Sequence, residues 1–232
     1  MMSIAPARER TLPVLAAFVD LFPNGSLQRG STIGCIGAAA TSLALAVAAQ
    51  PSQQGSWVSV AGLPGLGLRA AAECGVALER LVAVNDAPVC VGAGKRFSEQ
   101  QWAELLAAMI DGFDVVLIGP AAQQVRSGAA RQLQARAQSR GAVLVVAGTQ
   151  QVFGCDLQLT ANVVTWRGLG SGHGVASSRL LQVELCGRRL PRARRASMWF
   201  PGHDGRIRLE TPTVGSATGD SGGDLVALRR TG

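Results

Sequence analysis

Apolar and polar residues follow one another along the chain in blocks that predict strands and helices in turn. Short apolar runs bounded by glycine or polar residues are typical of buried strands, and longer stretches with apolar residues three or four apart are typical of helices with one buried face. In chain order the pattern predicts strand Thr32–Ile36, helix Thr41–Ala49, strand Trp57–Ala61, a short helix ending at Cys74, strand Leu81–Val84, helix Ser98–Ile110, strand Val115–Ile118, helix Arg126–Ser139 and strand Val143–Ala147.

Beyond residue 147 the pattern changes, because three further apolar runs follow with no helix between them. They predict strands at Val163–Arg167, Leu180–Cys186 and Ser197–Phe200. Alternating strands and helices indicate a parallel sheet covered by helices, and directly successive strands indicate antiparallel pairing. The predicted fold class is therefore α/β, with a mostly parallel sheet flanked by helices and an antiparallel C-terminal extension.

The same pattern divides the chain into three parts. Residues 1–25 are predicted to be an N-terminal linker with a helix at Val14–Leu21, where apolar residues recur at helical spacing before Pro23 and Gly25. Residues 26–210 form the predicted α/β domain. Residues 211–232 are rich in Gly, Ser, Thr and Asp, and are predicted to be a flexible tail.

Composition restricts the chemistry that the chain can carry. The 232 residues are 47% hydrophobic and 16% charged, which is enough to bury the core of one domain. Lys95 is the one lysine among 22 basic residues, and His173 and His203 are the two histidines, which argues against a lysine-dependent or histidine-rich site. The five cysteines form no C-x-x-C pair and the N-terminus has no apolar signal core. We therefore expect reduced thiols in a cytoplasmic protein with no membrane segment, metal or cofactor.

The net charge of +7 lies in one segment near the C-terminus. Between residues 167 and 208 nine arginines stand against two acids, Glu184 and Asp204, whereas the rest of the chain is balanced. The densest part of this segment is an arginine cluster that consists of Arg188, Arg189, Arg192, Arg194 and Arg195. Such a localised excess indicates an anionic partner, either DNA or an acidic protein surface. Trp199 and Phe200 follow the cluster, and either stack bases or belong to the core.

The turn after the first predicted strand contains part of a phosphate-binding motif. A phosphate-binding loop reads G-x-x-x-x-G-K-[ST]; its glycines let backbone N–H groups wrap the phosphates and its lysine neutralises them. Gly34 matches the first glycine and Thr41 the hydroxyl residue, but Ala39 and Ala40 replace the second glycine and the lysine. Loss of that cation removes a charge-assisted hydrogen bond of roughly 1.5–3 kcal/mol. An ordinary strand–turn–helix corner is the alternative interpretation.

Two further positions lack the acids of an ATPase. Gly119 follows the strand Val115–Ile118, where an aspartate near magnesium would stand. Gly62 and Leu63 follow the strand Trp57–Ala61, where a carboxylate could activate water. Together these substitutions predict a degenerate nucleotide pocket without catalytic residues, formed by Gly34, Ala39, Ala40, Thr41 and Gly119.

In order and spacing, the chain from Ser26 to Phe200 resembles the core of RecA-type recombinases. The likeness rests on the small-residue helix, the strand before Gly62, and the runs SLQRGSTIG at 26–34, FDVVLI at 113–118 and GAVLVVA at 141–147. With its degenerate phosphate loop, its many arginines and its size, the chain is similar to the ImuA family, in particular to the shorter actinobacterial ImuA-prime type.

This resemblance implies a role in the SOS response, in damage-induced mutagenesis. A member of the family would be a non-enzymatic accessory protein of translesion synthesis. It would bind ImuB, a catalytically inactive Y-family-like polymerase, and so help an error-prone replicative-type DNA polymerase to copy lesions. RecA-type folds assemble when one chain adds a strand and a helix to another, so ImuB is expected to supply such a segment. Two alternatives stay open: an atypical DNA-stimulated ATPase of RecA type, and an inhibitor of recombinase filaments.

Overall fold

Strands and helices alternate in the first two thirds of the chain, and strands alone follow. The structure is a computed structural model, and it describes residues 10–85, 97–148, 152–169, 174–188, 190–201 and 206–210. The strands are β1 (Thr11–Pro13), β2 (Ser26–Gln28), β3 (Thr32–Ile36), β4 (Val58–Ala61), β5 (Leu81–Val84), β6 (Val115–Ile118), β7 (Val143–Ala147), β8 (Leu157–Leu169), β9 (Gly174–Gly187), β10 (Arg194–Phe200) and β11 (Arg208–Leu209). The helices are α1 (Ala40–Gln53), α2 (Leu68–Glu73), α3 (Glu99–Gly112) and α4 (Ser127–Arg140).

Most of these strands join one sheet, whose order is β11-β10-β9-β8-β3-β7-β6-β4-β5. The six strands from β8 to β5 run parallel to one another. β9, β10 and β11 extend the sheet by antiparallel pairing. The predicted α/β class, with a mostly parallel sheet and an antiparallel extension, is therefore confirmed. β1 and β2 form a separate antiparallel pair.

Helices cover both faces of the parallel part of the sheet. Because side chains alternate along a strand, Val115 and Leu117 of β6 pack with α1 on one face, while Val116 and Ile118 pack with α3 and α4 on the other. Burial on both faces explains why these strands are continuous apolar runs in the sequence.

Helices α3 and α4 begin and end within two residues of the predicted positions. The Ser98 hydroxyl accepts a hydrogen bond from Gln101 N at 3.2 Å, and the Gln101 side chain accepts one from Ser98 N at 2.9 Å, so the predicted capping box is confirmed. Gly141 ends α4 in the left-handed region, with φ of 74°.

The helix predicted for Val14–Leu21 is wrong. β1 precedes a single 3-10 turn at Ala16–Phe18, and a second 3-10 turn follows at Pro23–Gly25. Pro23 has no N–H to continue a helix. The Arg194 guanidinium also donates to the backbone carbonyls of residues 20, 21 and 22, at 3.1, 3.4 and 3.1 Å.

The N-terminal segment contributes to the same core as the sheet. Phe18, Leu21, Phe22 and Leu27 are each at most 1% exposed and pack in the cluster that contains α1. The boundary predicted at residue 25 remains a prediction, and the predicted tail at 211–232 lies outside the described residues.

The antiparallel part of the sheet is covered on one face and follows a different pattern. Leu181, Val183 and Leu185 of β9 point to the α1 side and are fully buried, whereas Gln182 between them is exposed. The predicted strands are confirmed but are longer than expected. β3 pairs with β8 as far as Thr160, and β8 continues through Leu169 beyond the carboxyl end of the parallel strands.

Candidate functional site

The carboxyl ends of the parallel strands are the first place to look for a site, because ligands of open α/β sheets bind there. In this chain the loop between β3 and α1 consists of Gly37, Ala38 and Ala39 alone. Gly34, the predicted first glycine, lies inside β3 and pairs with Val146 on one side and Gln158 on the other. Gly34 is thus a strand residue rather than a loop residue, and Gly37, with φ of 89°, makes the turn.

The alanines at the positions of the motif glycine and lysine face the core. Ala39 is 1% exposed and Ala40 is 7% exposed, and both pack in the cluster that contains α1. Thr41 is exposed to solvent in the first turn of α1. The side chain at position 40 therefore belongs to the packed interior rather than to the mouth of the loop.

The loops after β4 and β6 are in close backbone contact. Gly119 N donates to Ala61 O at 2.8 Å, and Ala121 N donates to Gly62 O at 3.1 Å. A Cβ atom at position 119 would lie 2.8 Å from the carbonyl carbon of Gly62 and 2.8 Å from the Cα of Leu63, and even closer to the Gly62 oxygen. Position 119, where an ATPase would carry its aspartate, has no room for any side chain.

A buried glutamine occupies the adjoining ends of β6 and β7. The Gln123 side-chain nitrogen donates to Ala147 O at 2.8 Å and to Ile118 O at 3.4 Å, and the residue is 4% exposed. Its Oε1 atom is buried without a hydrogen-bond partner among the described residues. Sequence reasoning missed Gln123, since nothing in its local pattern distinguishes it from the surface glutamines nearby.

The predicted pocket residues lie at one end of the sheet, on two strands that are not direct neighbours. β7 lies between β3, which leads to Ala39–Thr41, and β6, which leads to Gly119. The described residues also hold no cluster of three or more His, Cys, Asp or Glu that could bind a metal ion.

The arginine cluster divides into two kinds of residue. Arg194 binds the carbonyls of the N-terminal segment, and Arg195 Nε donates to Glu184 Oε2 at 3.0 Å. All four are exposed, but within the described part of the chain Arg188 and Arg192 form neither an ion pair nor a side-chain hydrogen bond. Arg189 lies outside the described residues.

Arg188 lines an open groove of about 610 Å³ at the amino end of the parallel strands, opposite the β3–α1 loop. Arg131 of α4 and Gln134 line the same groove. Asp156, the acid at this place, is engaged, because its Oδ2 accepts from Thr32 N at 2.9 Å. The groove thus presents two exposed guanidinium groups and suits an anionic segment.

The two aromatic residues after the cluster differ in their surroundings. Phe200 is 4% exposed and belongs to the core. One face of the Trp199 ring is covered by the Arg167 guanidinium, whose Cζ lies 3.8 Å from the ring centroid. This contact competes with stacking of a base on that face.

Arg179 of β9 is the second functional candidate that sequence reasoning missed. Its Nη2 atom donates to Ser42 Oγ in the first turn of α1 at 2.6 Å, and its Cζ lies 5.7 Å from the Trp166 ring centroid. The available signal was alternation: residue 179 shares the inward parity of Leu181 and Val183, which is unusual for an arginine.

The cysteines whose pKa is shifted are poor nucleophiles. Burial raises the pKa of the Cys35 thiol strongly, and burial raises the pKa of Cys74 and of Cys155 to about 11. These thiols are protonated at neutral pH, so thiolate chemistry is not favoured at any of the three. In the described part of the chain no helix has the length and apolar character to span a membrane.

Comparison with known proteins gives one family and one curated relative. The family model described as the MT3502 N-terminal domain matches residues 6–152. The uncharacterized protein Rv3395c of Mycobacterium tuberculosis (strain ATCC 25618 / H37Rv) is 35% identical over 132 residues, which cover 55% of this chain. The match spans 57% of the length of that relative. The region of the family model contains the loops after β3, β4 and β6, whereas β8 to β11 lie outside it.

Proposed function

The chain belongs to the MT3502 N-terminal domain family, and from this premise we propose that it is a non-enzymatic adaptor with a RecA-like core of the ImuA type. In this proposal it binds the Y-family-like polymerase ImuB in the cytoplasm and serves damage-induced mutagenesis through an error-prone replicative-type polymerase. The mostly parallel sheet with helices on both faces and an antiparallel extension supports the RecA-like assignment.

The observation that carries the non-enzymatic role is the closed carboxyl end of the sheet. The backbone of Gly62 and Leu63 fills the space that a side chain at position 119 would need, and Ala39 and Ala40 are packed in the core. A magnesium-binding carboxylate could not be added at position 119 by exchanging one side chain, since the backbone of Gly62 and Leu63 occupies that space.

Among the described residues β5 is the edge strand of the sheet, which supports docking by strand addition. Val84 O accepts from Gly62 N at 2.9 Å, so residues of even number in β5 bond to β4 and the N–H of Ala83 faces away from it. Trp57, Leu78 and Val82 are 41%, 40% and 39% exposed around this edge. An extended segment of ImuB would pair its backbone here and cover these apolar side chains.

Calorimetry tests the non-enzymatic part of the proposal. Titration of the purified chain with ATP and magnesium should give no binding heat, and a phosphate-release assay with single-stranded DNA should give no turnover. Saturable ATP binding together with DNA-stimulated turnover would contradict the proposal and favour the atypical ATPase.

A pair of variants at one position tests the docking mode. Ala83→Pro removes the outward N–H and should abolish co-elution with ImuB in size-exclusion chromatography, whereas Ala83→Ser keeps the N–H and should co-elute like the wild type. If Ala83→Pro binds ImuB as tightly as Ala83→Ser, strand addition at β5 is wrong. Capture of a recombinase without ImuB would favour the filament inhibitor.

A further inference from the structure

A cavity lies where the extended β8–β9 hairpin covers the first turn of α1 and the end of α2. Its volume is about 200 Å³. Its apolar lining consists of Ala70, Cys74, Trp166, Phe200, Pro201 and Ile207. Ser42, Glu73 and Arg179 are the polar residues at its wall. A cavity of about 150 Å³ holds a benzene ring, so this one has space for a group of that size with a small polar head.

Arg179 brings a positive charge into this apolar surrounding, and no acid of the described residues forms an ion pair with it. Its one hydrogen bond among the described residues is the 2.6 Å contact with the neutral hydroxyl of Ser42. A guanidinium has five N–H donors, and a partly buried charge is stabilised only when its donors find acceptors. Burial lowers the pKa of Arg179, but an arginine remains a cation at neutral pH.

Among the described residues, Glu73 and Cys74 line the cavity and could neutralise Arg179, but neither does so. Glu73 accepts a hydrogen bond from Arg69 Nε at 2.9 Å in an i,i+4 ion pair. Cys74 is a neutral thiol, since burial raises its pKa to about 11. Ser42 lies in the first turn of α1, where the helix dipole is positive and disfavours a further cation. The charges of the described residues at the cavity therefore favour an additional anion.

The chemistry of that anion follows from the same residues. One guanidinium pairs with a carboxylate through two parallel hydrogen bonds, and a single negative charge balances it. A phosphate dianion fits less well, because it adds a second charge beside the Glu73 carboxylate and has no apolar body to fill the lining. We propose that the Arg179 cavity binds a carboxylate attached to a small apolar group, with the carboxylate on Arg179 and the apolar group against Trp166 and Phe200.

Two sources share this chemistry: a free aromatic or aliphatic acid, and the C-terminal carboxylate of a polypeptide that ends in an apolar residue. Calorimetric titration of the full chain with benzoate tests the first source, and benzamide is its uncharged control. A pentapeptide ending in leucine with a free carboxylate tests the second, and the same peptide with a C-terminal amide is its control. Binding of benzoate alone identifies a small-molecule site, and binding of the peptide identifies a docking site for a chain terminus; either result supports the proposal if the control does not bind.

Substitutions of Arg179 and Arg167, which each lie over a tryptophan ring, test whether the carboxylate binds in this cavity. Arg179→Met should weaken carboxylate binding at least tenfold, and Arg179→Lys should weaken it less, because lysine keeps the charge and loses the fork. Arg167→Met is the matched control, since Arg167 also lies over a tryptophan but does not line the cavity. Equal binding by wild type and Arg179→Met, equal binding of the uncharged controls, or no binding of either carboxylate would overturn the proposal.

A second measurement uses the wild-type chain, so it does not depend on whether a variant folds. Cys74 lines the cavity, so alkylation of its thiol at alkaline pH, followed by mass spectrometry, should slow at least threefold in saturating benzoate and remain unchanged in benzamide. No protection by benzoate would count against the site. This inference is independent of the adaptor role, because complex formation with ImuB is measured at the β5 edge.

Discussion

The parallel and antiparallel parts of the sheet differ in how their two faces are used. In the parallel part α1 and α2 cover one face and α3 and α4 the other, and the loops at the carboxyl end are closed by the Gly62–Gly119 contact. In the antiparallel part β9 and β10 bury one face and leave residues such as Gln182 exposed on the other. The difference indicates that helices occupy both faces of the parallel part, whereas in the described residues one face of the antiparallel part stays accessible to other molecules.

The largest expected loss of stability is at the carboxyl end of the parallel strands, where the loops after β4 and β6 are in contact. Gly119→Asp should lower the free energy of unfolding by about 3 kcal/mol or more, because the new Cβ would overlap the backbone of Gly62 and Leu63. Urea denaturation measures the change. Gly128→Asp in the first turn of α4 is the control: nothing lies within 4 Å of the added Cβ, and the helix dipole favours an acid there. A stable Gly119→Asp protein that binds magnesium and ATP would contradict the conclusion that the carboxyl end of the parallel strands is closed.

A smaller loss of stability is expected at the contact between Arg194 of β10 and the N-terminal segment. Arg194→Met should cost about 2 kcal/mol of unfolding free energy, because three backbone carbonyls lose a charged donor. Arg192→Met changes a neighbour that, like Arg194, is exposed but makes no side-chain hydrogen bond among the described residues, so it should stay within about 0.5 kcal/mol. Urea midpoints compare the two. Equal midpoints would mean that Arg194 does not anchor the segment.

The two kinds of arginine in the cluster should contribute differently to binding of an anionic partner. The double variant Arg188→Ala and Arg192→Ala should weaken binding of an acidic partner or DNA, and should reduce the slope of log K against log salt by about 1 to 2. Arg195→Ala should leave that slope almost unchanged, since Arg195 is engaged by Glu184. Fluorescence anisotropy over a salt series gives both slopes. A larger change for Arg195→Ala would reverse this assignment.

The smallest effect concerns an exposed ion-pair network between α3 and α4. Arg136 holds the pKa of Asp111 below its ordinary value, and Arg140 acts in the same direction. A carboxyl whose folded pKa is lowered adds stability above its unfolded pKa and loses it as the pH falls through the folded pKa. Asp111→Asn should therefore lower the urea midpoint slightly at pH 7, and the gap to wild type should close as the pH falls below 4. A gap that grows on acidification would exclude this linkage.

What the sequence could predict follows the same division. The inner strands β6 and β7 are apolar runs buried on both faces and match the predicted residues, and the capping box marks the start of α3. The hydrogen-bond partners of Arg192 and Arg194 could not be predicted. The two residues have similar sequence surroundings, and only the fold places the backbone carbonyls of residues 20–22 beside Arg194. The sequence predicts that a carboxylate is missing at Gly119, but the backbone contact that leaves no space for one depends on the loop after β4.

The bond between Arg194 and the N-terminal segment also constrains the order of events during synthesis. The guanidinium and the carbonyl of Asp20 are 174 residues apart in the chain, so this anchor cannot form until β10 has left the ribosome. Until then Phe18, Leu21 and Phe22 belong to an incomplete core with exposed apolar surface, which is a state that chaperones recognise. Nascent chains stalled before residue 194 should therefore be cut readily by protease near their N-terminus, and chains released after residue 200 should resist.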